Sequence, residues 1–104
     1  MAEKQKKLYE LSEAAAEDIS EIYDYTLYEF GENQAISYLT DLEKKFLSLT
    51  NQSISGRNRD KIRKDLKSIN FKKHVIFYRI IKGTLRIVRV LHERRDIPRQ
   101  FDND

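Results

Sequence analysis

Hydrophobic and polar positions fall into two regimes along this chain. From residue 12 to about 51 the apolar residues recur every three or four positions. From 74 to 92 they crowd into two nearly continuous runs. The first regime is helical. Ser12 stands ahead of it as an N-cap, with Glu13 and Glu17 near the positive helix end. A first helix is predicted from there to about Phe30, on a stripe of Ile19, Ile22, Tyr23, Thr26 and Phe30, with Gly31 closing it. A second helix is predicted from about Asn33 to Asn51, on Ala35, Tyr38, Leu39, Leu42, Phe46 and Leu49. So short a link makes the pair an antiparallel helical hairpin.

The second regime is extended. Residues 74–81 and 84–92 are rich in Val, Ile, Phe and Tyr and meet at Lys82-Gly83, where glycine supplies the positive φ of a tight turn. Val75, Phe77, Ile87 and Leu91 are the core candidates of this hairpin. Residues 7–11 alternate and predict a short first strand. Residues 51–61 are polar and predict a loop. Ile62 to Phe71 is a ragged, basic strand candidate suited to a sheet edge. Pro98 can start a terminal turn ending at Phe101. The order is β-α-α-β-β-β, an α+β fold with the helical hairpin packed on an antiparallel sheet. One domain is expected over 1–104, with 1–6 and 102–104 as loose ends.

Charge changes this picture. Residues 1–53 hold 5 basic and 11 acidic residues, a net of −6, whereas residues 54–104 hold 15 and 6, a net of +9. The helices are acidic and the sheet is basic, which points to a charged partner. With 36% charged and 39% hydrophobic residues the core must be thin. The chain has no cysteine, which excludes disulfides and thiolate metal sites and suits a reducing cytoplasm. No signal peptide or transmembrane run is visible. No cofactor and no metal site is expected.

His74 and His92 open and close the hairpin and so should meet at one sheet end, either as hydrogen-bonding groups or as an acid–base element. Arg79, Arg86 and Arg89 punctuate the hairpin, and Arg94, Arg95 and Arg99 follow it. If the chain were a nuclease, His92 or Glu93 would move protons and Arg79 and Arg89 would steady phosphate. On the helices Tyr28 points away from the core stripe and Tyr25 lies between the faces. Ile36 and Leu47 stand roughly 120–140° from Leu42, at about 100° per residue. Four such residues on one helical hairpin mark a partner surface.

These pieces together resemble the RelE/ParE superfamily of bacterial toxins from type II toxin–antitoxin systems, and most of all its ParE branch. The resemblance covers about residues 8 to 101. It is carried by residues 11–19, Tyr25-Thr26 to Phe30-Gly31, Gln34-Ala35 with Tyr38-Leu39, Ser55-Gly56-Arg57, residues 74–79, and residues 87–92 with Arg95-Asp96. It implies a cytoplasmic toxin without enzymatic activity of its own, which traps DNA gyrase on cleaved DNA and blocks replication. It also implies neutralisation by a ParD-like antitoxin whose acidic segment folds on binding. The alternative is a ribosome-dependent mRNA endonuclease of the RelE type. Such relatives usually carry a tyrosine near the C-terminus, and here the only late aromatic residue is Phe101, which cannot donate a proton. A third reading is a non-toxic homologue that only binds antitoxin. Target contacts are expected from His92, Arg94, Arg95, Arg99 and Phe101, and antitoxin contacts from Tyr25, Tyr28, Ile36, Leu47, Arg79 and Arg86.

Overall fold

A computed structural model describes residues 8–51, 56–95 and 101. The elements are β1 (Tyr9–Leu11), α1 (Glu13–Phe30), α2 (Glu32–Ser48), β2 (Arg57–Asn58), β3 (Lys67–Phe71), β4 (His74–Ile81) and β5 (Thr84–His92). They form the expected α+β architecture of two helices on one sheet, which has five strands where four were expected, in the order β1-β5-β4-β3-β2.

Local chemistry sets the boundaries. Ser12 caps α1 by accepting the Ala15 N–H at 2.9 Å, and its own hydroxyl donates to the Val88 carbonyl at 2.7 Å. One side chain thus starts the helix and ties it to β5. Gly31 ends α1 at φ +91° and opens α2 directly. In the β4–β5 turn both Lys82 (φ +51°) and Gly83 (φ +82°) are left-handed, as a two-residue turn matching the strand twist requires.

The sheet is mixed, not wholly antiparallel. β1 pairs with β5 in parallel, Tyr9 opposite Leu85 and Leu11 opposite Ile87. A parallel pair needs a long crossover, and the two helices and three intervening strands supply it. A further strand, β2, lies inside the segment expected as loop, where Arg57 faces Ser68. The expected strand from Ile62 begins only at Lys67. Before it, Asp60 accepts the Asp65 N–H at 2.8 Å and Asp65 turns left-handed at φ +63°, folding residues 60–65 into a turn.

The β4–β5 hairpin is buried on both faces. Toward the helices, Ile76, Tyr78, Leu85, Ile87 and Val90 pack with Ala15, Ile22, Leu42, Phe46 and Leu49. On the outer face, Leu66, Val75, Phe77, Val88 and Leu91 form a second core under Phe101 and Ile62. Phe30, expected in the α1 stripe, is instead 65% exposed at the end of the helix, and Asp18 takes a buried place in that stripe beside Ala15, Ile22 and Thr26. The strand register slips once. Phe77 faces Arg89 but Tyr78 faces Ile87, leaving Val88 as the extra residue of a bulge.

Candidate functional site

The hairpin arginines divide between the two faces of the sheet. Arg86 alternates with Leu85 and Ile87 of the inner core and so lies outward, whereas Arg89 reaches α1. Arg89 is held there by Asp18, with Nε donating to Oδ2 at 2.8 Å and Nη2 to Oδ1 at 2.9 Å. Asp18 Oδ2 also accepts the Val90 N–H at 2.9 Å. Both side chains are nearly buried. This bidentate, charge-assisted contact staples α1 to β5. Arg89, expected as a phosphate-steadying residue, is therefore a structural group. Sequence reading passed over Asp18. Its signal was a lone carboxylate at three- and four-residue spacing within the α1 stripe of a chain rich in strand arginines.

The histidines meet as expected. His74 faces His92 across the β4–β5 pair, with ring centroids 5.4 Å apart. Tyr38 on α2 reaches the same point, its hydroxyl 2.6 Å from His74 Nδ1. Burial first, and the neighbouring His92 second, push the His74 imidazole down to about 4, and burial pushes the Tyr38 phenol up to about 12. At neutral pH the phenol is therefore the donor and His74 Nδ1 the acceptor, which leaves the His74 proton on Nε2. His92 Nδ1 accepts the Arg94 N–H at 3.1 Å. Among the described residues no cluster of His, Asp and Glu could hold a metal ion.

This end of the sheet opens into a groove of about 820 Å³ beneath the helical hairpin. Tyr25, Phe30 and Tyr38 line its helical wall, and Lys73, His92, Arg94 and Arg95 line its sheet wall. Lys72 closes one corner, bound to Asp41 at 2.9 Å and resting 5.0 Å from the Tyr38 ring centre. Of the residues expected to touch the target, His92, Arg94 and Arg95 come together here. Arg99 lies outside the described residues, as does Pro98. Phe101 is elsewhere: it is buried on the outer face, edge-on to Phe77 with ring centroids 5.1 Å apart and under the Arg63 guanidinium. Its bulk serves the second core, so it presents no contact surface.

The residues expected to meet an antitoxin divide. Tyr25 belongs to the large groove. Ile36 lines a smaller apolar one, of about 370 Å³, with Tyr9, Leu11, Tyr23 and Leu39. Tyr28 and Leu47 are exposed and line neither. Arg79 and Arg86 face one another on the hairpin. They stand five and six positions from the His74–His92 pair, roughly 17–20 Å along the strands. The nuclease set of Arg79, Arg89, His92 and Glu93 thus does not converge on one phosphodiester. Lys73, Arg94 and Arg95 thus stand at one end of the hairpin, and Arg79 and Arg86 at the other.

Comparison with known proteins agrees with this architecture. Residues 9–97 match the family model described as "ParE toxin of type II toxin-antitoxin system, parDE". The chain is 37% identical over 94 residues to "Toxin ParE1" of Mycobacterium tuberculosis, covering 89% of this chain and 96% of that protein. It is 29% identical over 87 residues to "Toxin ParE1" of Caulobacter vibrioides, covering 84% and 90%. A solved structure described as "Chromosomal ParDE TA system from P. aeruginosa" superimposes with a TM-score of 0.69 at 18% identity, over 82% of this chain and 96% of that one, and so shares the fold. Among the described residues no helix is long and apolar enough to cross a membrane. The chain belongs to the ParE toxin family of type II toxin–antitoxin systems.

Proposed function

We propose that this toxin acts by binding DNA gyrase and trapping it on cleaved DNA, without catalysing a reaction itself. The observation that carries the reading is the groove itself, an aromatic helical wall facing an arginine rim, with the hairpin arginines Arg79, Arg86 and Arg89 placed outside it. His92, Arg94 and Arg95 sit together on a groove rim, Arg89 is committed to Asp18, and Arg79 and Arg86 stand at the far end of the hairpin. Cleavage by Arg79 and Arg89 with His92 or Glu93 would need all of them around one phosphate; binding does not. The groove pairs an aromatic helical wall with an arginine rim, the composition that anchors protein interfaces.

An antitoxin of the ParD type neutralises it, a reading that the family and the ParDE system of the P. aeruginosa neighbour support. Its apolar side chains would fill the groove at Ile36, and its acidic residues would meet the basic half of the sheet. The functional test is incubation with gyrase, supercoiled plasmid and ATP. Accumulation of cleaved, protein-linked plasmid is expected, with R94A/R95A at least about tenfold less potent, the scale of one lost interface anchor. No trapped cleavage and no inhibition by the wild-type chain removes this reading. Arrested translation with primer-extension stops on mRNA would promote the endonuclease reading in its place.

A further inference from the structure

The outer face of the sheet carries two rows of charged residues. Arg57, Ser68 and Phe77 form one row across β2, β3 and β4, and Arg79, Arg86 and Glu10 form another across β4, β5 and β1. Residues two apart on a strand share a face, so Phe77 and Arg79 put both rows on the same side. Arg59 joins them, its guanidinium 5.7 Å from the Phe77 ring centre and its Nε donating to Ser68 Oγ at 2.9 Å. Directly opposed like charges disfavour a strand pair, yet Arg79 and Arg86 face one another. Glu10 answers Arg86, at 3.0 Å. Arg79 Nε is buried with no hydrogen-bond partner among the described residues.

We propose that this face binds the sugar–phosphate backbone of duplex DNA through Arg79, Arg86, Arg57 and Arg59. The occupant follows from what the face lacks. A peptide needs apolar anchors, but the apolar residues at the centre of this face are already covered by Phe101 and Ile62, and the open ones among the described residues, Ile81 and Leu8, stand at its margins. Phosphate contacts need only cations. Arg86 can exchange Glu10 for a phosphate because the pair is exposed and weak. The proposal deepens the gyrase reading, on which its biological meaning rests: the DNA held here would be the segment gripped by the enzyme while the groove rim meets the protein.

Fluorescence anisotropy with a labelled 20-base-pair duplex tests it on the full chain between 50 and 200 mM salt. Four phosphate contacts predict a slope of log K against log salt of about −3.6, hence roughly a 150-fold loss over that range. R79Q/R86Q is expected to lower the slope to about −1.8 and the loss to about 12-fold, whereas K44Q/K45Q on α2 leaves it nearly unchanged. Glu10→Gln, which releases Arg86, is expected to tighten binding by up to about fivefold. Circular dichroism verifies that each variant is folded. Equal slopes for R79Q/R86Q and K44Q/K45Q, or weaker binding by Glu10→Gln, overturn the proposal. So does an R79Q/R86Q variant that keeps duplex affinity but loses antitoxin affinity, which assigns the face to an acidic peptide. A wild-type chain that binds duplex as predicted but leaves gyrase untouched removes the gyrase reading and keeps this surface. Undiminished gyrase trapping by a chain with no duplex affinity does the reverse.

Discussion

Replacing Asp18 should injure this protein more than any change at its exposed cations. The Asp18 side chain is 10% exposed and that of Arg89 13%. Asp18→Ala removes the bidentate partner of a guanidinium in this nearly dry position and also removes the acceptor of the Val90 N–H. Breaking a buried pair by deleting one partner costs about 3–5 kcal/mol. A domain of this size has roughly 5–15 kcal/mol in total, so the variant should sit at the edge of stability. At about 2.1 cal/mol/K per residue, the expected fall in Tm is about 14–23 °C. Urea unfolding followed by circular dichroism measures the loss, with an unchanged m-value showing that the folded fraction is native-like. Arg89→Ala should cost less, because the carboxylate keeps the Val90 N–H. Asp18→Ala combined with Arg89→Met should recover part of the loss, since the arginine charge is then removed together with its carboxylate. A loss under about 1 kcal/mol for Asp18→Ala, or strict additivity in the double variant, would refute the staple.

The pH response follows from His74. Its folded-state pKa of about 4 lies below the ordinary 6.5, so the unfolded chain binds the extra proton first. This contribution to stability is fully present above pH 6.5 and is lost as pH falls from there to about 4. His74→Gln should flatten that part of the stability profile. Tyr38→Phe removes the donor to Nδ1 but keeps the burial that depresses His74, so NMR titration should find the His74 pKa still well below 6.5. Gly56 lies against the Tyr78 hydroxyl, and a Cβ there would stand 2.8 Å from the Ser68 carbonyl. Gly56→Ala should therefore cost about 1–3 kcal/mol in urea unfolding, and Tyr78→Phe should relieve part of it. Isothermal titration with the antitoxin should find Ile36→Asp far more damaging than Leu47→Asp, because of the two only Ile36 lines a groove.

Periodicity made the helices and the hairpin legible because their determinants are local. The Ser12 cap, the Gly31 break, the α2 stripe and the Lys82-Gly83 turn each depend on residues within one or two turns of chain. What escaped was set by contacts distant in sequence. β1 chooses its parallel partner 76 residues away, and Asp18 meets Arg89 71 residues away. Phe101 looked like a terminal anchor because burial on the outer face depends on Phe77 and Arg63 being already in place. Phe30 fits the helical stripe, yet it sits at the last turn, where α1 has run beyond the sheet that would cover it.

The bulge at Val88 is the point where sequence and function part. Simple alternation from Ile87 would carry Leu91 beneath the helices and turn Val90 and His92 to the outer face, with His92 out of register with His74. The extra residue reverses that phase. Leu91 joins Val88 in the outer core, Val90 packs beneath the helices, and His92 lines the groove opposite His74. Arg89, at the slip itself, stays beside Asp18. One arginine of the hairpin is thereby committed to stability. Arg79 and Arg86 stand at one end of the hairpin and His92, Arg94 and Arg95 at the other, too far apart for both sets to bear on the same phosphate.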